Sequence, residues 1–311
     1  EDSDTAFLTD RALGEMRVRP EGWFVHLTYL RPHPPLVAPA PWNRLVDPAT
    51  LPLPPGGGEV RHPFTVPSRA GSPIAGMVEG FPDLAPSDEN LRMLRALYLG
   101  LASEVDHHLG RIIADLKDRG LYDSTLIVVT ADHGEMLGDH GLWGKATFHD
   151  AAWHTPLILR DPGAPARGAA VDLPTESVDV TPTILDCLGL PVPDTMDGRS
   201  LRPFLHGESP AAWRRHTFSE LDFGDPVAPT GVQQALGLRA EEANLAILRG
   251  PDHTLVHFNG GLPPLLFDHR AAGDGHLGQV HRGRDGARGA EAHLRRHRSL
   301  APPVGTGALR P

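Results

Sequence analysis

Lysine is nearly absent from this chain: of 29 basic residues only Lys117 and Lys145 are lysines, the rest being arginine. Cysteine occurs once, at Cys187, which excludes an internal disulfide and a cysteine-built zinc site and mildly favours the cytoplasm. No run of about 18 apolar residues is present, so no helical membrane span is expected. Positive charge is in deficit, with a net charge of −10, which makes nucleic acid and anionic membranes poor default partners. An initiator methionine and a signal-peptide pattern are also lacking, so we expect a fragment or a processed form.

What is present suits a soluble globular protein: 311 residues, 40% hydrophobic and 22% charged, long enough to bury a real core. Trp23 to Leu30 (WFVHLTYL) is rich in aromatic and β-branched residues and reads as a strand. It stops at RPHPPLVAPAP, whose prolines forbid helix and interior strand. Residues 47–86 are rich in proline and glycine and read as a long surface excursion.

A helix is expected from Ser87, with Ser87 as its cap and Asp88 and Glu89 in the first turn. Leu91, Leu94, Leu97, Leu101, Val105, Leu109, Ile112 and Leu116 recur at helical spacing, and Gly120 is the stop. TLIVVT (Thr125 to Thr130) and TPLILR (Thr155 to Arg160) read as strands of the kind buried on both faces of a parallel sheet. Thr181-Pro182 opens a short helix that ends at Gly189 and holds Cys187 as a packed thiol.

This order predicts a mainly parallel α/β sheet between helices over residues 1–205. Over 206–270 the segments HTFSELDF, NLAILRG, HTLVHF and PLLFD predict a small antiparallel subdomain. Residues 271–311 lack apolar periodicity and read as a disordered tail.

The chemistry gathers where the strands end, since ligands of open parallel sheets bind beyond the carboxyl ends of their strands. Val128 to Lys145 reads VVTADHGEMLGDHGLWGK. Asp132 and His133 offer a hard oxygen and a borderline nitrogen to one divalent ion; the donor pair suits Zn²⁺ or Mn²⁺ better than an all-oxygen Ca²⁺ site. Gly134 gives the backbone room to turn. Lys145 can return as a point charge for an anionic oxygen. His33 sits in a stiff Pro-His-Pro backbone and could give a hydrogen bond or a proton to a leaving group. The alternatives are a capping Asp-His-Gly turn and a surface histidine.

VVTADHGEMLGDHGLWGK, followed by FHDAAWHTPLILRDPG, resembles the metal-site segment of the sulfatase branch of the alkaline phosphatase superfamily. Within that branch it is most similar to the phosphonate monoester hydrolases and related phosphodiesterases. YLRPHPPLVAPAPW, ESVDVTPTILDCLGLPVPDTMDGRSLRPFL, FSELDFGDP and HFNGGLPPLLFD carry the likeness on, with gaps, from about residue 5 to 268.

The resemblance implies hydrolysis of a small-molecule sulfate or phosphonate/phosphate ester, with one divalent metal ion (Mn²⁺, Zn²⁺ or Ca²⁺). It is compatible with a homo-oligomer. It makes Asp132 and His133 metal ligands, Lys145 the contact to the transferred group, and His33 the histidine near the leaving-group oxygen. Asp139 and His140 match no such role and are expected to order the loop.

Two features of the family pattern are missing. The early aspartate ligand is not found, nor is the Cys-x-Pro/Ala-x-Arg motif whose cysteine becomes the formylglycine nucleophile; Cys187 is followed by Leu-Gly-Leu-Pro. A metal held by Asp132 and His133 alone would be under-coordinated, and double displacement could not start. We therefore expect the C-terminal portion of such an enzyme, inactive as this chain alone. A non-catalytic relic that binds an anion or a partner is the alternative. A two-metal phosphomutase would need further histidine ligands that are not evident.

Overall fold

The computed structural model describes residues 3–20, 22–56, 62–165 and 168–271. Of the expected tail, 272–311 lies outside the described residues. Helix α1 (Asp4–Val18) starts at Ser3, whose hydroxyl accepts from the Ala6 amide at 3.0 Å and satisfies one of the helix's free N–H groups. Its buried face, Thr5, Ala6, Thr9, Ala12, Leu13 and Met16, follows helical spacing and packs on a long helix further along the chain. Arg17 fixes that packing through two hydrogen bonds to Asp115, at 2.9 and 2.6 Å.

Residues 22–30 depart from expectation. The backbone is extended and burial alternates with period two, but no ladder forms, and Phe24 and Leu30 face outward at 71% and 57% exposure. Strand composition supplies the conformation; a strand needs a partner, and among the described residues there is none.

The excursion over 47–86 is not merely superficial. On either side of a short helix α2 (Thr65–Ala70) it sends side chains into two separate cores. Phe64 joins Phe148, Phe223, Phe258 and Phe267, with ring centroids 5.0 Å from Phe223 and 5.4 Å from Phe258. Ile74 and Met77 join Leu36, Leu94, Leu101 and Trp143. Its proline and glycine content marked the turns and hid the anchors.

Helix α3 (Asp88–Asp118) is capped by Ser87, which accepts from Asn90 at 3.2 Å. Leu94, Leu101 and Leu116 of the expected stripe are buried, together with Glu104, His108 and Asp115. Strands β1 (Ile127–Thr130) and β2 (Leu157–Arg160) pair with each other, and antiparallel, in the register Ile127 to Arg160 and Thr130 to Leu157. Our expectation of parallel neighbours buried on both faces fails for this pair: an unbroken apolar run says nothing about direction, and both strands are only partly covered, with Ile158 63% exposed. The register also means that the chain leaves β1 and re-enters β2 at the same edge. Everything between 131 and 156, including the short helix α4 (Asp150–Trp153), is one excursion closed at its base.

Helix α5 (Val180–Cys187) follows, and Gly189 ends it at φ +68°. A one-turn helix α6 (Arg202–Leu205) leads to the C-terminal sheet, which also carries α7 (Gly231–Leu236). Strands β3 (Thr217–Asp222), β4 (Asn244–Arg249), β5 (His253–Phe258) and β6 (Leu265–Asp268) form an antiparallel meander in chain order, as the closely spaced strand-like segments predicted.

Candidate active site

Four residues after β1 the chain reaches Gly134, whose amide donates to the Ala152 carbonyl of α4 at 2.8 Å. A Cβ at this position would lie 2.0 Å from the Ala151 carbonyl oxygen. Close approach of two backbones, not an unusual turn, is what demands glycine here. The seating of Gly134 aims the two preceding residues. Asp132 is 87% exposed at its side chain, and its Oδ1 accepts the His133 amide at 3.0 Å. His133 Nδ1 lies 2.8 Å from the Gly134 carbonyl, so it carries the ring proton and leaves Nε2 as an open donor atom, 3.6 Å from Asp132 Oδ2.

His33 and Lys145 meet although 112 positions separate them: Lys145 Nζ lies 2.6 Å from His33 Nε2. A lysine ammonium only donates, so Nε2 is the acceptor and the imidazole proton sits on Nδ1, facing the Pro34 carbonyl at 2.7 Å. The His33 ring stands edge-on to that of His133, with centroids 5.9 Å apart. All four sequence-predicted residues thus gather at one place.

Arg31 holds the proline loop in shape, donating to the carbonyls of His33 at 3.2 Å and Pro35 at 2.7 Å while pairing with Asp4 of α1 at 3.4 Å. Buried Leu36 ties it further, its amide donating to Met77 at 2.8 Å. Opposite, the Ser72 hydroxyl bonds both the carbonyl and the amide of Trp143, steadying the turn into Lys145.

The second triplet does different work. Asp139 pairs with Arg95 of α3 at 3.0 Å, and the His140 carbonyl accepts from Arg69 at 2.8 Å. Leu137 and His140 adopt φ +50° and +57°, conformations that β-carbon sterics disfavour and that these contacts hold in place. The His140 ring stacks on His149 at 4.1 Å. Burial is the main reason that the His149 imidazole is pushed down to about 3, so it is neutral at ordinary pH.

Glu135 was not singled out in the sequence. It is 9% exposed, its carboxylate accepts the Met136 amide at 3.2 Å, and burial holds its carboxyl above the usual range. Lys145 and His133 lie near enough to act on its charge, and its charge in turn acts on Tyr98 of α3, where burial is the larger reason for a raised phenol. Adjacency to Asp-His-Gly was the signal available.

Metal capacity is limited. Asp132 and His133 fit as two ligands, but among the described residues no group of three or more His, Cys, Asp or Glu could hold an ion. Cys187 is half-buried at the end of α5 rather than deep in a core. Burial and the neighbouring Asp161, 3.8 Å from its sulfur, push the thiol up to about 11.

Residues 1–190 match the family model described as Sulfatase. The chain belongs to the sulfatase family. Residues 138–247 of this sulfatase-family chain also match the model described as N-sulphoglucosamine sulphohydrolase, C-terminal. The multifunctional alkaline phosphatase superfamily protein PehA of Trinickia caryophylli is 39% identical over 281 residues, which are 86% of this chain and 54% of that protein.

The phosphonate monoester hydrolase from Silicibacter pomeroyi superposes with a TM-score of 0.88 at 54% identity, and that of Agrobacterium radiobacter with 0.82 at 36%. In each case 96% of this chain and 60% of the other is covered. The fold is therefore the sulfatase and alkaline-phosphatase-like α/β fold with an antiparallel C-terminal sheet. The chain spans little more than half the length of these relatives. No helix among the described residues is long and apolar enough to cross a membrane.

Proposed function

We propose that this chain carries the transferred-group end of a metal-dependent hydrolase acting on sulfate esters or phosphonate/phosphate esters. The observation that carries the reading is the 2.6 Å contact of Lys145 Nζ with His33 Nε2, beside the open Nε2 of His133 and the exposed carboxylate of Asp132. An ammonium and an imidazole in one place suit an oxyanion with a leaving group attached. A divalent ion held in part by Asp132 and His133 would add charge for the non-bridging oxygens.

In the resting arrangement Lys145, not His33 Nε2, bears the proton along their shared axis. A leaving group protonated from His33 Nε2 therefore requires that nitrogen first to take a proton, either from Lys145 along their shared axis or from solvent once an anion has drawn Lys145 away.

The described residues offer two metal ligands, and the sole cysteine is a suppressed thiol, so binding without turnover is the second reading. Nitrophenyl sulfate and nitrophenyl phosphonate esters with Mn²⁺ test the site. We expect saturable binding that Lys145→Ala weakens, and no multiple turnover by this chain alone. Turnover that vanished in Asp132→Ala would show that the residues here suffice; binding indifferent to Lys145→Ala would sink the anion site itself.

A further inference from the structure

We infer that Arg31 is a positioning residue for His33: it pins the carbonyls on either side of the one that holds the imidazole, and so sets where Nε2 meets Lys145. The role belongs to the anion site proposed above and rests on that reading.

The loop Arg31-Pro32-His33-Pro34-Pro35 is short of donors. A proline has no N–H, so between Pro32 and Pro35 the backbone offers the His33 amide alone, and that amide donates back to the Leu30 carbonyl at 3.0 Å. The carbonyls of His33, Pro34 and Pro35 therefore turn elsewhere. Arg31 Nη1 donates to the first at 3.2 Å and to the third at 2.7 Å, and the middle one accepts the Nδ1 proton of the His33 ring at 2.7 Å. Pro35 also receives the Val37 amide at 2.9 Å, so the His33 carbonyl is the one that leans most on Arg31.

A ring hung from one backbone carbonyl points where that peptide points. Clamping the carbonyls before and after that of Pro34 stops it from turning, and Nε2 on the far side of the ring is held 2.6 Å from Lys145 Nζ. The guanidinium is aimed in turn. Its side chain is 16% exposed, and its Nε edge faces Asp4 in the first turn of α1 at 3.4 Å while Nη1 faces the loop. Asp4 is tied down as well, its Oδ1 accepting the Thr5 amide at 2.9 Å. A planar fork keeps those two directions fixed relative to each other; a lysine ammonium carries the charge without the fork.

Only two lysines occur in the sequence, so the full chain labelled with ¹³C-lysine gives two Cε–Hε signals, with Lys117 at the far end of α3 as internal control. His33→Ala marks where the Lys145 signal lies once the contact is gone. In Arg31→Lys, without sulfate, we expect the Lys145 signal of position 145 to move most of the way to that mark and Lys117 to stay put, although the charge is unchanged. Asp4→Asn keeps an oxygen for the Thr5 amide and loses the ion pair; it should move the signal the same way by less.

Were Arg31 only a positive charge near the site, Arg31→Lys would leave the Lys145 signal where it stands, and that result overturns the proposal. Were it only a brace for the loop, Arg31→Lys would melt earlier with the Lys145 signal unmoved, which overturns it equally. Should Arg31→Lys fail to melt cooperatively, Asp4→Asn decides, and an unmoved signal there overturns the proposal. A Lys145 signal indifferent to inorganic sulfate in the unaltered chain, with the shift in Arg31→Lys intact, would count against the anion site and not against the positioning.

Discussion

Arg249 on β4 grips Asp150 at the start of α4 through both carboxylate oxygens, at 2.9, 3.0 and 2.8 Å. The C-terminal sheet is thereby bolted to the helix whose backbone seats Gly134, so the antiparallel subdomain acts on the site without contributing a residue to it. The fork geometry matters more than the charge, because both side chains are a third or more exposed and solvent screens them. Arg249→Lys should lower stability by about 1 kcal/mol, read from the urea midpoint. A lysine variant as stable as the parent would show that charge alone suffices.

Gly134→Ala meets a harder obstacle. Its Cβ would fall 2.0 Å from one carbonyl oxygen and 3.0 Å from the carbon, both of them backbone, so α4 must move. The expected loss is about 3 kcal/mol in denaturant unfolding. Gly110→Ala within α3, where nothing lies within 4 Å, should instead gain about 0.5–1 kcal/mol. Equal behaviour of the two variants would refute the crowding.

Acid should find His149. The unfolded chain binds a proton at this imidazole below about pH 6.5, whereas the folded chain resists until about pH 3. Its contribution is fully present above the unfolded value and drains away as pH falls through that window. In His149→Phe, which keeps a ring against Phe148 and Phe267, the acid-dependent loss between pH 7 and 5 should be smaller by about 2 kcal/mol. Parallel stability curves for parent and variant would mean that the imidazole is not held neutral.

Cys187 should be a poor reagent. A thiol pushed up to about 11 leaves, at pH 8, about a hundredfold less thiolate than an ordinary exposed cysteine. Reaction with Ellman's reagent is expected to be slow in the folded chain and fast in guanidinium. A fast folded-state reaction would reopen the question of a nucleophile at this position.

The legible parts of this protein are those set by local pattern. Short strand-like segments at close spacing gave all four strands of the C-terminal sheet, and Ser87 with its leucine stripe gave α3, because each signal lies within one element. The four site residues could be named because they end stretches of unusual composition. The direction of β1 against β2, the missing ladder at Trp23–Leu30 and the burial of Phe64 depend on partners far along the chain. The Lys145–His33 contact spans 112 positions, and Glu135 is buried where the loop closes on itself and the Met136 amide meets the Gly144 carbonyl. Neither leaves a periodic trace.

The pairing of Thr130 with Leu157 carries one more consequence. Residues 131–156 hang from the sheet as a cassette whose two ends are stitched side by side. For such a closed segment, doubling the length of a flexible part costs about 0.6 kcal/mol in closure entropy. Residues added at its far end, around Asp139 to Gly141, would leave both strands in register but would break the Asp139–Arg95 and His140–Arg69 contacts that pin the tip. The apparatus at its base is thus held by the sheet, and the shape of its tip by α2 and α3, so each answers to a different part of the chain.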